Sequence, residues 1–288
     1  MMATNTMKSD VKGGTLAEGS RDWIPTSGAV KITVLLRKEL LELTRSYKLI
    51  WVPLVFILLG IMQPITNYYM PLILEKAGNM PEGTVIDIPK MTGEQVLTGT
   101  LSQFGSIGTL VLVLVFMGIV SGERNTGATS MILVKPISFG AYIASKWVSM
   151  LILTWGSLFL GYFASWYYTG QLFERVAMAP FLNSYLLYGL WFSFVMSILL
   201  LFSSMLRSAA GAAFITLGLS IFLTVLVGLM PKYLEWSPGS LSNYAYEAIS
   251  GSIAEPTHLI WTIGVTGILV VLLLVCSVGM LRRSPALD

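Results

Sequence analysis

Charge is what this sequence has least of: Asp, Glu, Lys and Arg make up 11% of its 288 residues, against 55% hydrophobic residues. A soluble domain carries about a quarter charged residues. Less than half that share leaves too little polar surface to cover a globule in water, so lipid is the expected solvent. Cysteine and histidine are nearly missing. The single Cys276 excludes an internal disulfide and a cysteine metal cluster, and the single His258 argues against a histidine metal site. Placed near opposite ends of the last apolar stretch, they cannot form a nucleophile–base pair within the chain. No Gly-Lys pair occurs, which excludes a phosphate-binding P-loop, and no Gly-x-Ser-x-Gly elbow occurs. The chain is therefore not expected to be an enzyme. The net charge is only +3, so no nucleic-acid partner is expected. Residues 1–29 are polar, with no apolar run, which argues against a signal peptide and for a flexible tail.

Long apolar runs are what the sequence does have. Crossing the hydrocarbon takes roughly 20 mostly apolar residues in a helix, because lipid offers the backbone no hydrogen-bond partner. Six stretches qualify, at roughly 49–70, 100–121, 147–168, 181–206, 209–230 and 258–280. The fold expected is an all-α polytopic membrane protein with one transmembrane domain over 49–283 and a short tail over 284–288. Of the 18 Lys and Arg residues, all but Lys76, Lys90, Arg175 and Lys232 fall on the side that holds both termini. By the positive-inside rule that side is cytoplasmic, in a multi-pass protein of the cell membrane. The fourth and fifth spans, separated by Arg207 and Ser208, are expected to form a tight hairpin. Pro53 and Pro64 predict a kinked rather than a broken first span.

Span interiors hold only mild polar groups, among them Gln63, Asn67, Gln103 and Asn183. The buried ionisable relays of proton-coupled carriers and the charged rings of ion channels have no counterpart there. If the protein does work, a partner supplies the energy. Gly118 with Gly122, and Ser204 with Ser208, are small-residue pairs that could mark helix seams. In the outer segment 231–257, residues 241–250 read either as a short interfacial or re-entrant helix or as a plain loop. Trp236, Tyr244 and Tyr246 there are expected at the headgroup level.

Before the first span, residues 30–48 place Ile32, Leu36, Leu40, Leu43 and Tyr47 on one helical stripe, with Lys38, Glu42 and Arg45 opposite. Such a helix can lie in the membrane surface against lipid headgroups. It either only anchors the first span or also touches a cytoplasmic partner through Arg37, Lys38 and Glu39.

The segment after the second span is the most specific. It runs from Ser121-Gly122-Glu123-Arg124-Asn125-Thr126-Gly127 through Leu133-Val134-Lys135-Pro136-Ile137-Ser138 to Lys146. Here the chain resembles the type 2 ABC exporter permease family. That family has a Glu ending the second span, then a Gly, a short amphipathic helix, a Leu-x-x-Pro-hydrophobic-Ser/Thr stretch and a Lys opening the third span. Leu36-Arg37-Lys38-Glu39-Leu40 resembles its usual basic-basic-acidic opening. Ala128 and Phe139 depart from it, standing where many members have Thr and Arg.

The resemblance implies a cytoplasmic coupling helix between spans two and three. Glu123, Arg124, Gly127, Leu133, Lys135, Pro136, Ser138 and Lys146 would meet an ATPase, with Glu123 bonding the partner or its neighbour Arg124. It also implies a separate cytoplasmic ABC ATPase subunit that holds ATP and Mg, and a second permease subunit. The cargo expected is amphipathic: a peptide antibiotic, a drug or a lipid. A scaffold or regulatory subunit and a sodium-coupled carrier are the alternatives.

Overall fold

The computed structural model describes residues 28–77, 91–126, 138–251 and 256–283. The expected tails and most of the expected coupling helix, with Gly127, Leu133, Lys135 and Pro136, lie outside the described residues. Among the described residues the fold is all-helical, with six helices long and apolar enough to cross a membrane. Helix α1 (Gly28–Arg45) leads through a corner into α2 (Lys48–Ala77), the first span. At that corner Tyr47 takes a left-handed φ of 56°, uncommon outside glycine, and the Ser46 hydroxyl donates to the Glu42 carbonyl.

The second span, Gly93–Asn125, is composite. It comprises α3 (Gly93–Gln103), a π-helical turn (Phe104–Gly108), α4 (Thr109–Phe116), a non-helical turn and α5 (Ser121–Asn125). Thr92 starts it with a capping box completed by Gln95. Spans three to five are α6 (Phe139–Leu172), α7 (Met178–Met205) and α8 (Ala209–Leu229). Two short helices, α9 (Pro231–Leu234) and α10 (Leu241–Ile249), then lead to the sixth span, α11 (Pro256–Arg283).

Helix α7 is the centre of the bundle. Of its most apolar stretch 78% is buried, against 22%, 28% and 17% for the first, fifth and sixth spans. Those three leave most of their apolar side chains facing outward, as lipid permits. Polar pairs tie α7 to α6 along its length. Trp147 and Trp155 donate through their indole N–H to Ser197 and Ser193, each at 2.9 Å, and the Tyr162 and Ser184 hydroxyls are 2.8 Å apart. In hydrocarbon such pairs hold helices together because the unpaired alternative is costly.

Several expectations change in the structure. The tightest helix seam joins α2 and α6. A Cβ on Gly60 would overlap the Gly161 carbonyl oxygen, and one on Gly161 would lie 2.5 Å from the Phe56 carbonyl oxygen. Gly118 and Gly122 make no such approach: nothing lies within 4 Å of a Cβ placed on Gly122. Ser208 caps α8 by accepting from the Gly211 N–H, and the Ser204 hydroxyl donates to the Leu201 carbonyl of its own helix. The first span, by contrast, is unbroken as expected: Pro53, Pro64 and Pro71 all sit within an uninterrupted α2.

The buried face of α1 is also turned from the expected stripe. Leu35, Glu39 and Leu43 are buried while Ile32 and Tyr47 are exposed. The reason is a buried cation on α6 that draws Glu39 inward. Of the two readings of 241–250, a short helix is the one present, as α10. It packs across α7 and buries Leu241, Tyr244, Ala245, Ala248 and Ile249, so only Trp236 of the expected headgroup aromatics is well exposed.

Candidate functional site

The expected site residues that are described lie on α1 and at the two ends of the segment 127–137. Ser138 accepts a hydrogen bond from the Ala141 N–H at 3.2 Å and so starts α6 well before the apolar run expected from residue 147. Lys146 therefore lies two turns inside α6, with its side chain 1% exposed. A lysine buried there needs anions beside it. Glu39 of α1 supplies both carboxylate oxygens, each 3.2 Å from Lys146 Nζ, and Glu123 of α5 approaches at 3.0 Å.

Glu123 is the hub. One of its carboxylate oxygens accepts from Lys38 of α1 as well as Lys146, and the other accepts from the Tyr142 hydroxyl, one turn before Lys146 on α6. Lys38 also contacts Glu39 at 3.1 Å and the exposed Glu42 at 3.6 Å. Burial opposes the charge on Lys38. The hydrogen bond to Glu123 and the negative charges of Glu39 and Glu123 outweigh that, and hold its pKa above the ordinary lysine value. The carboxylates of Glu39, Glu42 and Glu123 come within 4.8 Å of one another, a spacing that could suit a metal ion. Lys38 and Lys146 reach into the same group, so it is an ion network with its own internal cations.

Three chain segments that are distant in sequence thus close on one point. Helix α1 meets both ends of the segment 127–137, Glu123 just before it and Lys146 just after it. The expectation that Glu123 bonds Arg124 does not hold within this chain. Arg124 turns the other way and donates to the Ser204 carbonyl at 2.8 Å, while Asn125 donates to the Arg207 carbonyl at 2.9 Å. The first caps the end of α7, and the second holds the turn that follows it. Glu39, expected to face a partner, is buried in the network, whereas Arg37 is exposed.

Tyr142 belongs to the arrangement and was not singled out in the sequence, and Glu42 was placed only on the polar side of its helix. Tyr142 precedes Lys146 by one turn, so it shares its helix face, and that spacing was a usable signal. Glu42 had only the same spacing, one turn after Lys38.

The comparisons with known proteins bear on this arrangement. The sequence profile of the ABC-2 family transporter proteins matches residues 33–281. The chain is also similar to a Bacillus subtilis (strain 168) protein named "Uncharacterized transmembrane protein YxlG". The two are 35% identical over 250 residues, which span 86% of this chain and 96% of the relative. The matched region contains the first five spans, all but the last two residues of the sixth, both ends of the segment 127–137 and every member of the ion network. By that match the chain belongs to the ABC-2 transporter family, as a membrane-spanning permease subunit of an ABC transporter.

Proposed function

We propose that the protein is the permease of an ATP-driven exporter, with both termini and the ion network on the cytoplasmic side. The distribution of Lys and Arg supports that orientation. A separate ABC ATPase subunit, carrying ATP and Mg, docks on the segment 127–137 and on the exposed side of α1 around Arg37. A second permease subunit completes the transporter, and the path runs along the second and fifth spans. The spans offer uncharged surfaces, so the cargo is an amphipathic molecule such as a peptide antibiotic, a drug or a lipid.

One observation carries this reading: Glu123 and Lys146, at the two ends of the proposed coupling segment, are both bonded to α1. A push on the segment 127–137 then reaches α1, α5 and α6 together, as a rigid-body input to three elements. The test is co-purification of the tagged chain with its ATPase, alongside sensitivity of a deletion strain to membrane-active peptides and drugs. Glu123→Ala and Gly127→Pro should each weaken assembly and abolish ATP-dependent protection. Full assembly and full protection in both variants would refute the coupling role.

A further inference from the structure

The second span leaves its helical path at Met117–Val120, between α4 and α5. Inside a membrane protein such a break strands backbone groups, and each stranded group is costly unless something else takes it up. Here the replacements are specific. The Ile119 N–H turns back only three residues, to the Phe116 carbonyl at 2.9 Å. That shift releases the Val115 carbonyl, and Lys48 at the start of α2 donates to it at 2.9 Å. The N–H groups of Val120 and Ser121 both donate to Ser203 Oγ of α7, each at 3.2 Å. The Ser203 hydroxyl in turn donates to the Met117 carbonyl at 3.1 Å. Val120, Ser121 and Ser203 are fully buried, so the protein itself supplies these partners. Helical bonding then resumes with Gly122 N–H to the Gly118 carbonyl at 2.9 Å.

The two sides of the break are held differently. Helix α4 packs on α7 and α8. Helix α5 is bound to α1 and α6 through the charged contacts of Glu123, and to the end of α7 through Ser121 on Ser203 and through the bonds of Arg124 and Asn125 to backbone carbonyls. Toward α1 and α6, Glu123 is held by two ionised donors, Lys38 and Lys146; toward α7, Arg124 is ionised whereas Ser121 and Asn125 donate as neutral groups, so the α7 contacts are the weaker set. Gly118 lies within the break and Gly122 just after it, and nothing lies within 4 Å of a Cβ placed on Gly122.

We infer that Met117–Val120 is a built-in hinge of the second span, held in place by Ser203 and Lys48. It lets Ser121–Asn125 move with α1 and the coupling segment rather than with the rest of its own span. Ser203 and Lys48 are positioning residues in this scheme. The inference rests on the coupling reading above for its motion, but not for the existence of the break.

The experiment has two arms, on the full chain in lipid nanodiscs. Amide hydrogen exchange needs no ATPase. Ser203→Ala should raise exchange at Val120 and Ser121 about tenfold, the scale of a lost hydrogen bond, and leave Thr109–Phe116 unchanged. Ser197→Ala, the same change on the same helix away from the break, should leave both regions unchanged. A rise spread evenly over 109–125, or the same rise in Ser197→Ala, would overturn the hinge. The second arm uses the assembled complex with its ATPase and paired spin labels in a Cys276→Ser background. On adding ATP, the Leu114→Cys/Thr126→Cys distance should shift while the Val34→Cys/Thr126→Cys distance holds. The reverse pattern, or no response in either pair, overturns the motion, and the exchange arm separately decides whether Ser203 holds the break.

Discussion

The two ends of the bundle handle charge in opposite ways. At the α1 end, Glu39 and Lys146 are buried and Glu123 nearly so, each with more than one partner. At the other end, His258 and Glu235 meet at 2.9 Å with side chains 46% and 40% exposed, and the neighbouring α10 packs through apolar and aromatic groups. A buried network is intolerant of losing a member, because the survivor is left as a charge in a poor solvent. An exposed pair loses little, because water replaces the missing partner. The first arrangement makes three segments depend on one another, and the second merely fastens a loop.

Three substitutions sharpen or break that contrast. The largest effect should come from Lys146→Met, which leaves Glu39 buried without its main cation. A loss of about 3–5 kcal/mol is expected in denaturant-titrated unfolding in bilayer-like discs. Next is Tyr142→Phe, which removes one donor from Glu123 and should cost about 1.5 kcal/mol, the lower range for a hydrogen bond to a charged group. The smallest is Glu235→Gln at the opposite end. It should cost under about 1 kcal/mol. A Glu235→Gln loss equal to that of Lys146→Met would erase the distinction between the ends.

The network has a defined response to pH through Lys38. Its folded pKa lies above its unfolded one, so its contribution is complete below the ordinary value of 10.5 and fades only as pH rises beyond that. Stability contributed at this site should therefore be flat across neutral and mildly alkaline pH. A decline setting in near neutrality would argue against the ion pairing around Lys38.

The six spans were legible because each carries enough consecutive apolar residues to announce itself without any knowledge of its neighbours. The site was legible only in part. Glu123, Lys146, Lys38 and Glu39 stood out by resemblance to a family motif, whereas their mutual contact depends on packing α1 against α6, and no local pattern encodes that. Reading α1 by its apolar stripe gave the buried face only in part: Leu43 of the stripe is buried, but so are Leu35 and Glu39 outside it, a carboxylate that burial alone would exclude. Gly60 and Gly161 form the close seam although Gly118 and Gly122 have the better-known spacing, because a seam depends on which helices meet. Ser203 was one serine among several in α7. Its importance comes from a break in a different span.

The claim on which the account depends most is that α1 and the two ends of the coupling segment form one energetic unit. A double-mutant cycle on Glu39→Gln and Lys146→Met, read by unfolding in lipid discs, tests it most directly. The account predicts that the double variant loses at least about 1 kcal/mol less than the two single losses combined, as for residues in one ion network. Losses that add to within about 0.5 kcal/mol would mean that the two side chains are merely neighbours, and would contradict it.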